Sequence, residues 1–110
     1  MKIAFLGSNE KEVQALNRYF LRNFAPKEGL ERIWVSDWHM EYRNKNTGNM
    51  YFIQIAHEGI RGHRFDKIHY TNTISDEMMY FVQQCLLKPR GYIEKDKFIK
   101  LDYDLKFDFE

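Results

Sequence analysis

Residues 2–26 read KIAFLGSNEKEVQALNRYFLRNFAP. KIAFLG is a short apolar run closed by glycine, the pattern of a buried strand. The period then changes. Asn9 and Glu12, three residues apart, form a capping-box pair, and Ser8 is a second cap candidate. Val13, Leu16, Phe20 and Phe24 follow at helical spacing and make one apolar stripe. Pro26 and Gly29 stop the helix. A strand that passes at once into an amphipathic helix is half of a β-α-β unit, so this stretch sets the expectation of an α/β class.

Working outward, residues 32–43 and 50–57 read as strands on either side of NKNTGN, residues 44–49, where Asn and Gly suit a hairpin turn. FDKIHYT, residues 65–71, reads as a further strand. Thr73 or Ser75 then caps a second helix over residues 75–88. Its buried face is Met78, Phe81, Val82, Cys85 and Leu86, with Asp76 and Glu77 in the first turn, where the helix dipole favours negative charge. Pro89 and Gly91 end it. In FIKLDYDLKFDFE, residues 98–110, apolar and charged residues alternate, the period of a strand with one oily and one charged face. The oily face is expected to cover this core or that of a second copy, giving a homodimer. The pattern predicts one α/β domain over residues 1–110, a mixed sheet with two helices in the order β-α-β-β-β-α-β.

The bulk numbers bound the function. At 110 residues and 44% hydrophobic the chain can bury a core without metals or disulfides. Aromatics, at 16%, supply large buried areas. With 17 Lys plus Arg against 16 Asp plus Glu, no global field draws nucleic acid or acidic membranes. A single cysteine, Cys85, excludes an internal disulfide framework and fits a reducing compartment. The apolar start turns polar too early for a secretory signal, and no run approaches the ~20 apolar residues of a membrane span. A cytoplasmic protein without membrane contact is expected.

Chemistry-bearing motifs are few. Neither GxxxxGK[ST] nor GxGxxG occurs, and one cysteine leaves no thiolate zinc site. Cys85 falls on an apolar helix face and reads as a buried thiol. His57, His63 and His69 stand at a spacing that matches no metal motif, although His57 and His69 would be neighbours if their strands paired; no metal or cofactor is expected. Asp102, Asp104 and Asp108, interleaved with Lys100 and Lys106, read as a solvated strand face. The main candidate is GIRGHRFDK, residues 59–67. Gly59 and Gly62 would let the chain turn sharply, and Arg61, His63, Arg64 and Lys67 would present donors to an anion or a partner, unless Glu58 and Asp66 pair with the arginines. A second candidate is the turn Gly7, Ser8 and Asn9, at a strand's carboxyl end and a helix N-terminus, where an anion would meet free N–H groups.

RGHRFDKIHYTN, residues 61–72, resembles the segment around the second acidic motif of phage large-terminase and related helicase-type P-loop ATPases. The matching residues are Arg61, Gly62, Phe65, Asp66, Ile68 and Tyr70. KIAFLGSNEKEVQALNRYF, residues 2–20, resembles the strand and helix that follow the phosphate-loop helix in that family. NTGNMYFI, residues 46–53, resembles the turn and strand before its Arg-Gly element. The departures are decisive: the triphosphate-binding strand and lysine loop are missing, and Thr71 and Asn72 stand where the acidic pair would hold Mg²⁺. The resemblance implies a pared-down core of viral type that has lost ATP hydrolysis and acts by binding.

The expected function is therefore that of a small non-catalytic binding protein, a phage-type accessory acting on a host or viral protein. Exposed rings among Trp34, Trp38, Tyr42 and Tyr51 would supply its anchors. The alternatives are a nucleic-acid-binding module using Arg61 to Lys67 with ring stacking, and a metal-dependent nuclease or hydrolase built on Asp66 or Glu58 with a histidine.

Overall fold

A computed structural model describes residues 1–86 and 97–101, apart from the side chain of Arg61. Among these residues the chain forms one mixed sheet with two α-helices: β1 (Lys2–Gly7), α1 (Glu10–Asn23), β2 (Leu30–Val35), β3 (His39–Asn44), β4 (Met50–Ile55), a 3₁₀ turn (Glu58–Gly62), β5 (Lys67–Thr71), α2 (Asp76–Gln84) and β6 (Phe98–Leu101). The order of helices and strands follows the sequence pattern, with one refinement. Residues 32–43 divide into β2 and β3, because Ser36 folds back on His39, its N–H and hydroxyl donating to the His39 carbonyl at 2.9 and 3.1 Å. The Ser-Asp pair at 36–37 supplies that turn. Of the expected terminal strand, Phe98 to Leu101 is β6. The continuation with Asp102, Asp104 and Asp108, like Pro89 and Gly91, lies outside the described residues.

The sheet order is β2-β3-β4-β1-β5-β6. β1 is central, pairing in parallel with β4 and β5, and β6 continues the parallel half beside β5. β2, β3 and β4 form the antiparallel half. The two halves follow different burial rules. β1 is apolar at successive residues because both its faces are covered: Ala4 and Leu6 meet Ile60, Phe65, Ile68, Val82, Cys85 and Leu86, while Phe5 meets Val13, Leu16 and Phe20 of α1. β3 alternates, with Met40 and Tyr42 buried under α1 while Glu41 and Arg43 face outward among polar partners. Phe20 organises the α1 side, its ring centroid 5.5 Å from Phe5, 5.3 Å from Tyr42 and 4.8 Å from Tyr51.

Local signals account for the element ends. The Asn9 side chain accepts from the Glu12 N–H at 3.0 Å and caps α1, and the Ser75 hydroxyl accepts from the Met78 N–H at 3.2 Å and caps α2. The β3–β4 hairpin closes where Gly48 adopts φ 79° and donates its N–H to the Asn44 carbonyl at 2.8 Å.

Candidate functional site

After β1 the chain runs through α1 on one face of the sheet. After β5 it runs through α2 on the opposite face to β6. Loops leaving neighbouring parallel strands in opposite directions open a crevice at their carboxyl ends, the usual ligand position in such sheets. Here that position holds a polar network around Glu12, which is 4% exposed. Its carboxylate accepts from the Ser8 N–H at 3.0 Å, the Ser8 hydroxyl at 2.9 Å, the Thr71 hydroxyl at 2.8 Å and the Thr73 hydroxyl at 2.6 Å. Burial pushes the Glu12 carboxyl up, but these hydrogen bonds outweigh it and hold the group below its ordinary value. Outside the network lies a pocket of about 180 Å³ lined by Ser8, Ala56, Thr73, Ile74, Ser75 and Met78.

The anion turn expected at Gly7, Ser8 and Asn9 thus holds an anion of the chain's own. Ser8 gives its N–H and its hydroxyl to Glu12, and Asn9 caps the helix that carries it. Gly7 is needed there for space. A Cβ on it would stand 3.0 Å from the Glu12 Cβ and 3.2 Å from Leu16 Cδ1, where α1 passes closest to β1. Sequence reasoning treated Glu12 as a capping residue and overlooked Thr73 as its partner, since 61 residues separate them. Thr71, where the resemblance to P-loop ATPases expects a carboxylate, is a hydroxyl donor to Glu12.

The loop of residues 59–67 crosses from the carboxyl end of β4 to the amino end of β5. The His57 ring accepts from the Gly59 N–H at 3.1 Å and starts the 3₁₀ turn, which includes Arg61. Neither Gly59 nor Gly62 has positive φ, so the bend comes from the 3₁₀ turn and not from the left-handed conformation glycine allows. His63 and Arg64 are exposed: the His63 ring lies parallel to Phe65 at 6.0 Å, and the Arg64 guanidinium donates to the His63 carbonyl at 2.8 Å. Lys67 is the first residue of β5, and Asp66 beside it accepts from the Lys2 N–H at 2.7 Å, tying β5 to β1.

The other titratable candidates are dispersed. The sequence pattern ran the fourth strand on to His57, but β4 ends at Ile55, His57 caps the 3₁₀ turn, and β1 lies between β4 and β5, so His57 and His69 are not strand neighbours. His69 is buried, stacked on Phe5 at 4.5 Å, and burial followed by the charge of Lys67 pushes it down to about 4. His39 pairs with Glu41 at 2.9 Å on β3. The Cys85 thiol donates to the Ile60 carbonyl at 3.0 Å, which fastens the end of α2 to the 3₁₀ turn, and burial raises it against the opposing pull of Arg64. Among the described residues no three His, Cys, Asp or Glu side chains gather as metal ligands would. No described helix is long and apolar enough to cross a membrane.

The surface is most unusual at the edge of β2, which has β3 as its sole sheet neighbour among the described residues. Ile33, Trp34, Val35 and Trp38 are 44%, 59%, 48% and 48% exposed. A bulge between Arg32 and Trp34 breaks the register with β3. The neighbouring turn is held from below, where the Gln14 side chain of α1 donates to the Asp37 carbonyl. Of the four candidate ring anchors, the two tryptophans are at the surface. Tyr42 and Tyr51 are core residues, 3% and 7% exposed, and the Tyr42 hydroxyl donates to Asn17 at 2.7 Å.

In comparisons with known proteins, no family model, curated protein or solved structure matches this chain.

Proposed function

We propose that the chain is a small non-catalytic binding module that takes an extended apolar segment of a protein partner against the β2 edge and the rings of Trp34 and Trp38. The observation that carries this reading is a run of large apolar residues left 44–59% exposed, Ile33, Trp34 and Val35 on the outer strand β2 and Trp38 in the turn that follows it. Apolar area left in water forgoes roughly 25 cal/mol per Å² of stabilisation, so a cluster of this kind favours covering by a partner. Tryptophan is among the residues that most often dominate binding energy at interfaces. A strand edge with no neighbour among the described residues adds backbone donors and acceptors for an extended segment. The bulge shortens the run of regular pairing available, so the indole faces carry more of the contact than a long added strand would. The resemblance to terminase-type ATPase cores supports reading the module as a phage-type accessory acting on a host or viral protein.

Affinity capture from a host lysate, with and without nuclease, tests the reading. One protein should be captured whether or not nuclease is present. It should be lost with the Trp34→Ser, Trp38→Ser double variant, whose circular dichroism stays that of the parent. Capture that survives the double substitution removes the β2 surface from consideration. Capture abolished by nuclease replaces this reading with nucleic-acid contact through Arg61, His63, Arg64 and Lys67.

A further inference from the structure

We infer that the pocket between the carboxyl ends of β1 and β5 binds a primary alkylammonium group, with the Ser8 and Thr73 hydroxyl oxygens accepting from the ammonium and Ala56, Ile74 and Met78 packing on the alkyl chain. This site is independent of the β2 surface. Its position is the crevice where the loops after β1 and β5 part, and its volume is about 180 Å³. That is below the ~300 Å³ at which pockets for drug-sized ligands begin, so the occupant is a group of a few heavy atoms.

Charge selects the class. Glu12 is almost wholly buried behind the pocket wall, and among the described residues its carboxyl is governed by burial and hydrogen bonds, with no charged group contributing. A buried carboxylate without a counter-charge leaves a negative potential at the nearest solvent-accessible space. The N-terminal ends of α1 and α2 oppose it with about half a positive charge each. Glu10, Glu12, Asp76 and Glu77 all lie in the first turns of those helices and outweigh both ends together with Lys11. A phosphate would meet this field unfavourably.

Proton bookkeeping gives the polarity of the contacts. A hydroxyl has one proton. Ser8 and Thr73 both direct theirs to Glu12, at 2.9 and 2.6 Å, although their oxygens are only 3.0 Å apart. What they offer outward is lone pairs, made more basic by donation to a carboxylate. Ser75, the third polar lining residue, accepts from the Met78 N–H. Two of the three hydroxyls thus have their protons committed to Glu12, and the wall is richer in acceptors than in donors, which suits a ligand that donates. A bare divalent cation would want about six oxygen ligands, whereas half of the lining is apolar. An alkylammonium satisfies both halves.

The test is an amide NMR titration of the full chain at neutral pH and matched ionic strength, with n-butylammonium, 1-butanol, inorganic phosphate and Nα-acetyl-lysine amide as probes. Butylammonium should shift the Ser8, Thr73 and Ser75 amides saturably, with affinity about tenfold above that of 1-butanol, and phosphate should leave them in place. Tighter binding of the lysine derivative than of butylammonium would assign the natural group to a protein side chain; equal or weaker binding would assign it to a free amine. Thr73→Val should weaken butylammonium about tenfold with other amides unmoved. Phosphate shifting these amides, butanol matching butylammonium, or no shift with any probe each overturns the inference on the unaltered chain, without recourse to a variant.

Discussion

Glu12 shows how one side chain can have two jobs. It stands third in the capped turn of α1, where a carboxylate suits the helix dipole, and it also gathers the hydroxyls of Ser8, Thr71 and Thr73. Glu12→Gln keeps the shape but replaces one acceptor oxygen with a donor facing committed donors. Its cost should be about 1–3 kcal/mol in urea unfolding at pH 7, the usual range for a buried polar group left unmatched. His69 makes a different prediction. Its Nδ1 has no hydrogen-bond partner among the described residues, and burial, then the charge of Lys67, takes its folded pKa to about 4 against an ordinary 6.5. Below pH 6.5 the unfolded chain binds a proton that the folded chain refuses, so this contribution to stability is whole above 6.5 and declines as pH falls toward 4. Between pH 7 and pH 5 the loss should be about 2 kcal/mol. Urea midpoints at the two pH values measure it, and His69→Leu should flatten the difference. A midpoint that does not move in the parent protein would contradict the burial of a neutral imidazole.

Elements show the limits of local reading. The caps at Asn9 and Ser75, each one of two candidates, and Val13, Leu16 and Phe20 of the apolar stripe were legible because their causes lie within one or two helical turns; Phe24, expected on the same stripe, is the C-cap of α1 and 38% exposed. The β3–β4 turn was legible too, since Asn and Gly tolerate what a hairpin demands. Gly48 there has φ 79° and open space around its Cα, so Gly48→Ala should cost ~1–2 kcal/mol through backbone strain alone, read as a lowered melting temperature. The edge strand makes the opposite prediction. Trp34 and Val35 have little to lose on folding, so Trp34→Ser should change stability by less than about 0.5 kcal/mol while reducing partner capture. The split of residues 32–43 escaped the pattern because both flanks are rich in strand formers. The Ser-Asp signal between them is weak until it is seen bonding to His39.

At the scale of the whole molecule, stability depends on two cores laid on opposite faces of β1. Phe20 touches three other rings in one of them, so Phe20→Ala should cost about 3–5 kcal/mol, measured by chemical unfolding. That is a large share of the ~5–15 kcal/mol available to a domain, and the variant should be close to unfolding at physiological temperature. The sheet order also disperses the chemistry that looked clustered in the chain. His57 lies in the turn after β4 and His69 on β5, with β1 between those strands, and Asp66 sits at the amino end of β5, away from the crevice.

The amino-acid order alone determined the α/β class, the hairpin and two candidates for each helix cap, because a period of 3.6 or 2 and a hydrogen bond to the third residue are set by near neighbours. Only the tertiary structure decided that Trp34 and Trp38 face water while Tyr42 and Tyr51 are buried, that Glu12 meets Thr73, and that β1 lies between β4 and β5. Those outcomes depend on which strands lie side by side. Pairing across tens of residues is settled by the packing of whole faces, which no short window of sequence contains.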